Sequence, residues 1–451
     1  MTDEPPLHKP TRLEALRDAL GQGAGRQVHR LVNSMHPAEI ASLLESLPPA
    51  QREIVWDLVE PELEGEVLVE LAEEVRASLI REMEPEELVA AAEDLELDDL
   101  AILLRDLPET VHQQILRSLD AQDRERLGAV LSWDEGTAGS LMNPDLVSVR
   151  PDVTLETVLR YLRMRGEMPE KTDALFVVNR RDRYLGILPL TTLLTADPER
   201  TVGELVDAEV EGIAPETTAH EVAGLFQDRD LVSAPVIDGD GRLLGRITID
   251  DVVDVIRDEA DHSVMSMAGL NEEEDMFAPV VPSARRRGLW LGINLATAFL
   301  AAWVVGLFEA TIEKIVALAV LMPIVASMGG VAGTQTLTLM VRGMALGQVE
   351  RANARWLLVR EVAVAVLNGL AWATLVAIVV YLWFREPRIA AVIFGAMLVN
   401  LVAAALAGVA VPLVLKRMGV DPALAGGVVL TTVTDVVGFA SLLGLGTLAL
   451  T

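Results

Sequence analysis

The chain contains no cysteine, and aromatic residues make up only 4% of its 451 residues. Without cysteine the protein forms neither disulfide bonds nor thiolate metal sites, whereas hard cations with oxygen ligands remain possible. The N-terminus has no basic segment followed by an apolar stretch, which a secretory signal peptide requires. We therefore expect the N-terminal part to stay in the cytosol.

Positive charge is also scarce over the first 280 residues. This part holds 60 of the 67 acidic residues and 25 of the 37 basic residues, a net charge of −35, whereas residues 281–451 carry a net charge of +5. Such a balance argues against a nucleic-acid partner, because nucleic acids bind cationic surfaces. The acidic surface is consistent either with simple solubility or with cation binding, and the charge count does not separate these two interpretations.

The C-terminal part contains long apolar segments. Five of them are long enough to cross a hydrocarbon core of about 30 Å, and they lie at residues 288–308, 312–341, 356–384, 389–415 and 423–450. Nine Lys and Arg residues lie near the connections on one side, including Arg285, Arg286 and Arg287, and three lie on the other. The positive-inside rule then places the N-terminal part inside the cell and the C-terminus outside.

Glycine is frequent in these spans, and close helix packing explains most of its occurrences. Residues 329–336 are different, because three glycines within five residues weaken a helix and Pro323 lies just upstream. Broken helices occur at membrane depth where they line a polar cavity. We therefore predict an interrupted helix here, with the following residues as candidates for the lining of an ion path: Gly330, Gly333, Thr334 and Gln335.

Two carboxylates within the spans are candidate functional groups, because ionisable residues are costly in a membrane. Asp435 has no Lys or Arg within one helical turn, and Thr431 lies on the same helical face. This pattern suits a hydrated divalent cation such as Mg²⁺, although a protonated Asp bonded to a neighbouring helix is the alternative. Glu361 adjoins Arg360, so an ion pair at the membrane interface is nearly as good an explanation as a role in the ion path.

The acidic N-terminal part begins with recurring helical units. Residues 11–135 have Leu, Ala and Glu at helical spacing, with short breaks marked by proline. Residues 38–48 are echoed by residues 98–108, which indicates a small superhelical stack. Stacks of this type are usually interaction surfaces, and no residues in this one have catalytic spacing.

Residues 137–258 contain a duplicated β-α-β pattern with a period of about sixty residues. Each copy has a hydrophobic strand, a turn with Asp or Gly, a Leu-Gly strand and a helix start, as in residues 175–194 and 234–251. Asp250 and Asp251 lie where a helix begins, and carboxylates at such positions are ordinarily structural.

The duplicated segment resembles a tandem pair of cystathionine-β-synthase (CBS) domains. The order of acidic helical stack, CBS pair and five spans resembles the MgtE family of magnesium transporters, and residues 328–336 and 421–435 resemble its pore motifs. The resemblance implies a multidomain fold: an α-helical superhelical N domain at 1–136, α/β tandem CBS domains at about 137–200 and 201–258, a connecting (plug) helix at 259–287 and an all-α five-helix transmembrane domain at 288–451.

The same resemblance implies a homodimer with the ion path between its two membrane halves, and cytosolic Mg²⁺ sites that hold a gate shut. Asp435 matches the family's pore carboxylate, with Thr431 one turn before it. The cytosolic metal-site acids that it implies are Glu66, Asp98, Asp230, Asp251, Asp254 and Glu259. Without the resemblance, each of these acids is better explained as a surface residue or a helix cap.

The chain departs from the family pattern at four positions. Val331 replaces a frequent Asn, and His220, Ile102 and His262 stand where we expect acids. The two histidines raise the hypothesis that gating depends on pH, because imidazole titrates near neutrality. A dense acidic run at 271–275 suggests a second cation-responsive element, with a solvated linker as the alternative.

We therefore expect a multi-pass protein of the cell (inner) membrane, in contact with lipid, through which Mg²⁺ flows passively when cytosolic Mg²⁺ is low. No glycine-rich phosphate loop is present, so we expect no enzymatic activity, and a nucleotide such as ATP would be a ligand. The alternative is a nucleotide-sensing membrane protein that carries a different divalent cation, such as Co²⁺. The sequence does not separate Mg²⁺ from Co²⁺, Mn²⁺ or Ca²⁺.

Overall fold

The computed structural model describes residues 12–22, 24–93, 95–270, 275–349 and 352–450. These residues form two compact units, which we describe separately. The first unit comprises the described residues up to Ala260 together with residues 275–278, and the second comprises residues 261–270 and the described residues from Pro279 onward.

The first unit begins with ten short helices. They are α1 Arg12–Gly21, α2 Gly25–Val32, α3 Pro37–Glu45, α4 Pro49–Trp56, α5 Pro61–Glu70, α6 Glu73–Ile80, α7 Pro85–Ala91, α8 Leu97–Asp106, α9 Glu109–Ser118 and α10 Ala121–Leu131. Four of them start with proline, whose fixed φ and missing N–H suit the first helical position. The predicted helical stack is thus confirmed.

The repeat predicted within the stack is visible in the burial pattern. Ile40, Ala41, Leu43, Leu44 and Leu47 of the first copy are buried, and so are the residues sixty positions later. Those later residues are Leu100, Ala101, Leu103, Leu104 and Leu107. Both copies therefore present the same helical face to the core.

The duplicated α/β part follows the stack. Its elements are α11 Ala138–Leu141, β1 Ser148–Val149, α12 Leu155–Arg165, β2 Ala174–Val178, β3 Tyr184–Pro189, α13 Leu190–Thr195, α14 Ala219–Arg229, β4 Ser233–Ile237, β5 Leu243–Thr248 and α15 Ile249–Met267. β2 pairs with β3 and β4 with β5, both antiparallel, and each hairpin has a register shift at the same place. β1 adds to the first hairpin in parallel. This equivalence confirms the duplication.

The two α/β modules bury their apolar side chains differently. The first module has its own core, which includes Leu155, Leu175 and Leu188. The second shares one core with the helical stack, where Phe226 and Ile247 pack with the stack's leucines. Through this shared core, the start of α8 lies close to the start of α15, where Asp98 and Asp251 interact.

The second unit contains five long apolar helices, α16 Val280–Gly306, α18 Val316–Ala345, α19 Ala354–Phe384, α20 Pro387–Arg417 and α21 Pro422–Leu450, and one short helix, α17 Glu309–Lys314. All five long helices have the length and hydropathy of membrane spans, which confirms that prediction. α20 is the most buried of the five and packs against α18, α19 and α21.

The predicted interruption at residues 329–336 is wrong, because α18 runs without a break from Val316 to Ala345. Two of the three glycines, Gly329 and Gly333, serve packing instead. A Cβ atom at Gly329 would lie 2.1 Å from Nδ2 of Asn400, and a Cβ at Gly333 would lie 2.9 Å from Leu430. Neighbouring helices therefore approach α18 so closely that they support its backbone where glycine would otherwise weaken it.

The predicted connecting helix at 259–287 is also interrupted. α15 ends at Met267, and α16 begins at Val280, so residues 268–270 and 275–279 are not helical. Gly269 has a positive φ of 74°, which suits a glycine after a helix end. Pro279 precedes α16, whose first turns include the three arginines predicted to precede the span.

Candidate functional site

Asp435 lies on α21 at the same depth as the glycine-rich part of α18. The two helices run antiparallel, since Gly438 contacts Val325 and Gly333 contacts Leu430. Residues between these contacts, including Gly330 and Asp435, therefore share one level of the helix pair. The structure thus brings two of the predicted path elements to one depth.

The surroundings of Asp435 are sparse. It is partly exposed, and among the described residues it forms no hydrogen bond or ion pair. Thr431, one turn away, is exposed and donates its hydroxyl hydrogen to the carbonyl of Gly427 at 2.8 Å. The hydroxyl oxygen keeps its lone pairs, so this face of α21 offers oxygen ligands without a cationic partner.

The other path candidates divide into exposed and packed residues. Thr334 and Gln335 are exposed on α18, and so is Val331, the position where we expected Asn. Gly330 is partly exposed, and a Cβ there would meet nothing within 4 Å. Gly333, in contrast, packs against Leu430, so its role within one chain is close helix contact.

Glu361 is buried on α19 rather than open to a cavity. It forms an ion pair with Arg360 and accepts a hydrogen bond from the hydroxyl of Thr336 at 3.2 Å. Thr336 is itself buried and lies against Gly408. These contacts agree with the structural explanation of Glu361.

A second group of carboxylates lies in the first unit, where the starts of α8 and α15 meet. Asp98 is buried and accepts a hydrogen bond from Asn143 at 3.1 Å, and the same amide donates to Glu96 at 2.7 Å. Asp251 accepts from the N–H and the hydroxyl of Thr248, at 3.2 and 3.1 Å. We call Glu96, Asp98, Asp99, Asp250 and Asp251 the carboxylate cluster.

Crowding changes the acidity of this cluster. Burial and the charge of Glu96 raise the pKa of Asp98 to about 6. Burial and the nearby Asp98 raise the pKa of Asp99 to about 7, and burial together with Asp98 and Asp250 raises the pKa of Asp251 to about 8. Ionising all of these groups is therefore unfavourable unless a cation lies nearby.

The cluster has one cationic neighbour with unusual backbone geometry. Lys171 forms an ion pair with Asp250 and has a positive φ of 51°. Arg246 bonds the flanking residues, through the carbonyl of Glu170 and the hydroxyl of Thr172. Asp250 thereby keeps a lowered pKa: its hydrogen bonds with Lys171 and Thr248 outweigh burial, the largest single contribution, which acts to raise it.

The remaining predicted metal-site acids do not join the cluster as close ligands. Glu66 and Asp254 are exposed, and Asp230 is an exposed residue in the left-handed conformation that ends α14. Glu259 pairs with His220 at 3.3 Å. Within the described residues, no three carboxylate or imidazole side chains converge as ligands of one metal ion. Ile102 is exposed on α8.

Sequence reasoning missed Asp99, Glu96 and Asn143. All three lie near the helix starts that the shared core brings together, and Asp98-Asp99 mirrors the paired acids Asp250-Asp251 in the sequence. This repeated pair of adjacent acids was the sequence signal that could have identified Asp99. Asn143 had no signal, because its position depends on its backbone pairing with Arg246.

Within the second unit, the last turns of α15 contact membrane helices. Nε2 of His262 lies 3.4 Å from Oδ2 of Asp421, which also caps α21 through the N–H groups of Ala423 and Leu424. The hydroxyl of Thr338 on α18 lies 4.0 Å from the sulfur of Met267. The end of α15 therefore touches α18 and the N-terminal cap of α21, the helix that carries Asp435.

Five apolar helices long enough to span a membrane, joined to a helical stack and a duplicated α/β pair, define a multi-pass membrane protein with a large soluble N-terminal part. Comparison with family profiles agrees with this class. Residues 322–445 match MgtE, a divalent cation transporter, residues 35–136 match the MgtE intracellular N domain, and residues 138–199 and 202–258 match CBS domains.

Curated relatives extend over nearly the whole chain. The magnesium transporter MgtE of Thermus thermophilus is 31% identical over 97% of this chain and 98% of its own, and that of Bacillus subtilis is 25% identical over 95% of both. A solved cytosolic domain of the Mg²⁺ channel MgtE in complex with ATP is 34% identical, with a TM-score of 0.49, and covers 54% of this chain and 99% of that one. The chain belongs to the MgtE family of magnesium transporters.

Proposed function

We propose that the chain is a Mg²⁺-selective, channel-like transporter that imports Mg²⁺ passively and closes when cytosolic Mg²⁺ is plentiful. It has no enzymatic activity in this proposal. The observation that carries the proposal is Asp435, a carboxylate inside a membrane span that has a hydroxyl neighbour and, among the described residues, no cationic partner. Such a group suits a hydrated divalent cation better than a buried ion pair.

The partly exposed face around Asp435 supports a second copy of the chain as partner. One carboxylate and one hydroxyl give few ligands, whereas two protomers related by a two-fold axis would supply two of each. A largely hydrated Mg²⁺ on that axis would keep most of its water, as this ion prefers. Lipid would cover the remaining apolar surface of the five spans.

The carboxylate cluster supports cytosolic sensing. Its residues are oxygen donors, which fit Mg²⁺, and the raised pKa values of Asp98, Asp99 and Asp251 mark a site where a cation would relieve repulsion. Asp98 and Asp251 would hold the ion. Glu66, Asp230, Asp254 and Glu259 belong to this sensing proposal as more distant acids. Loss of the bound ion at low Mg²⁺ would favour an open state through repulsion.

The first experiment replaces Asp435 with Ala and with Asn in the full-length chain reconstituted in liposomes. Mg²⁺ uptake should fall to background in Asp435→Ala and remain strongly reduced in Asp435→Asn, because the amide has no charge. Glu313→Gln, which alters an exposed acid at the end of α17, is the matched control and should transport normally. Normal uptake by Asp435→Ala would refute the assignment.

The alternative function is a nucleotide-sensing membrane protein that carries another divalent cation, such as Co²⁺. The match to CBS domains motivates it, and the solved relative described above contains ATP. Calorimetry of Mg²⁺ and of ATP binding to the purified full-length chain distinguishes Mg²⁺ sensing from nucleotide sensing. Liposome flux with Mg²⁺, Co²⁺, Mn²⁺ and Ca²⁺ in turn identifies the cargo. ATP binding without Mg²⁺ binding, together with Co²⁺ flux, would favour the alternative.

A further inference from the structure

A buried arginine of the helical stack holds a segment that lies more than two hundred residues later in the chain. Arg52 on α4 is only 2% exposed. It donates hydrogen bonds to the carbonyl of Leu44 at 3.0 Å and to that of Leu47 at 3.1 Å. Its remaining terminal nitrogen, Nη1, donates to Oδ2 of Asp275 at 2.9 Å. Arg52 is thus satisfied by its own stack and by Asp275.

Asp275 is fixed at both its backbone and its side chain. Its side chain is only 6% exposed in the ion pair with Arg52. Its N–H donates to the carboxylate of Glu74 on α6 at 2.8 Å, and its Oδ1 accepts the N–H of Phe277 at 2.8 Å. Side chains of two helices of the stack, α4 and α6, therefore bind Asp275. This docking explains why residues 275–278 belong to the first compact unit.

Asp275 lies shortly before the first membrane helix, α16. α16 begins at Val280, five residues after Asp275. Even fully extended, a chain of that length spans only about 17 Å. The helical stack is therefore connected to α16 by a short tether, in addition to the long route through both α/β modules and α15.

We propose that the Arg52–Asp275 pair is an anchor through which the helical stack constrains the chain entering the first membrane helix. Asp275 belongs to the acidic run at 271–275, which raised the hypothesis of a cation-responsive element; the other four residues of that run lie outside the described residues. In this proposal Asp275 serves Arg52 rather than a metal ion. The expected effect on gating rests on the proposed transport function, whereas the anchor itself does not.

The energetics favour a single docked state. A guanidinium and a carboxylate buried together offset each other's loss of hydration, whereas either one buried alone is strongly unfavourable. Releasing Asp275 from the stack therefore requires water to reach Arg52. A movement of the stack that does not break the pair must pull on the residues leading into α16.

The anchor is testable by a distance measurement, because the chain has no cysteine to remove. Cysteines at two exposed positions, Glu109→Cys on α9 and Met276→Cys beside Asp275, carry spin labels in the full-length protein in nanodiscs. With the labelled chain diluted in cysteine-free chain, so that only one protomer of a dimer carries labels, the parent should give one narrow distance. Asp275→Ala should give a broad distance distribution in place of the narrow one. Asp275→Asn, which keeps an acceptor for the N–H of Phe277, should give a distribution of intermediate width.

The matched control breaks a different ion pair of the same stack. Glu135→Ala removes the partner of Arg105, a pair 3.0 Å apart whose Glu is 73% exposed, and the label distance should not change. An unchanged narrow distance in both Asp275 variants would overturn the anchor.

Flux gives a second readout. The Mg²⁺ concentration for half-inhibition should rise about tenfold in Asp275→Ala, because the stack no longer biases the entry to α16. Unaltered inhibition in Asp275→Ala would refute the anchor's role in gating. A parent that Mg²⁺ does not inhibit would refute the proposed gating function instead, and the label distance would still decide whether the anchor exists.

Discussion

The two compact units of this protein differ in the residues found where their helices meet. In the first unit, charged residues gather at helix starts, as in Asp98-Asp99 and Asp250-Asp251, and apolar packing surrounds them. In the second unit, glycines at helix contacts let α18 approach α20 and α21, and carboxylates are few. The first unit therefore brings like charges together inside an apolar core, whereas the second depends on close packing between helices.

The same contrast separates two carboxylates. Asp251 is crowded by other acids and has hydrogen bonds from Thr248, whereas Asp435 has no hydrogen bond or ion pair among the described residues. Crowding makes a cation favourable because it relieves repulsion between groups of one chain. A carboxylate with few polar neighbours, such as Asp435, binds a cation favourably only if further ligands come from water or from another chain.

The largest expected effect tests the packing of the second unit. Gly329→Ala places a methyl group where Asn400 lies, and Asn400 is held by a hydrogen bond to the carbonyl of Val325 at 2.9 Å. Overpacking of this type costs about 1–3 kcal/mol. We expect a clear decrease in the thermal unfolding temperature of the purified full-length chain. Gly330→Ala is the matched control, because a Cβ there meets nothing within 4 Å. Equal effects at both positions would contradict the packing explanation.

The second prediction concerns pH and the first unit. Asp98, Asp99 and Asp251 have pKa values of about 6, 7 and 8 in the folded chain, above the ordinary value of 3.8. The folded state therefore binds protons that the unfolded state releases. Their contribution to stability is full below pH 3.8 and is lost as pH rises toward 8.

In metal-free buffer the unfolding temperature should consequently fall between pH 5 and pH 8, by about 3 °C or more. Saturating Mg²⁺ should flatten this dependence, because a bound cation favours the ionised carboxylates. Differential scanning fluorimetry of the full-length chain measures both curves. A metal-free curve that rises over this range would show that the cluster is not strained by its own charges.

A smaller effect is expected from a single substitution in the cluster. Asp251→Asn keeps the shape of the side chain but removes a charge that faces Asp98. In metal-free buffer at pH 8 the variant should be more stable than the parent by about 1 kcal/mol. Its half-inhibition by Mg²⁺ should shift to higher concentration. Asp240→Asn, at an exposed turn position that has no part in the sensing proposal, is the control and should change neither quantity.

The smallest effect should come from His262→Gln, which removes the titratable partner of Asp421. Both side chains are partly exposed, so the ion pair is worth little, and we expect about a twofold change in the Mg²⁺ concentration for half-inhibition. Because only a protonated imidazole attracts the carboxylate, we expect the change to be larger at acidic than at alkaline pH. His29→Gln, on exposed α2 surface, is the control. Gating that is independent of pH in the parent would end this hypothesis.

Much of the architecture was readable from patterns that do not need a tertiary structure. The repeat at 38–48 and 98–108, the duplicated α/β pattern and the five apolar segments each report a local periodicity, and all three are confirmed. The prediction failed at residues 329–336 because helix propensity is weak beside packing. Asn400 and Leu430, distant in sequence, decide the conformation of that segment.

The two candidate sites also differ in how far the sequence predicted them. Asp435 was identifiable alone, because an acid in an apolar span is conspicuous. The carboxylate cluster was identified only in part, since its other members meet through the core shared by the stack and the second α/β module. Asn143 enters it through its backbone pairing with Arg246, and the Arg246 side chain binds the carbonyl of Glu170, which precedes Lys171. No local pattern encodes either contact.

The sequence by itself determined the order of the domains, the membrane spans, the acidic character of the soluble part and the position of Asp435. These features depend on composition and on periodicities within one element. The tertiary structure alone decided that α18 is continuous, that Asp98 and Asp251 share one environment, and that Arg52 binds Asp275. Each of these depends on contacts between residues far apart in the chain, whose energies outweigh local preference only once the core has formed.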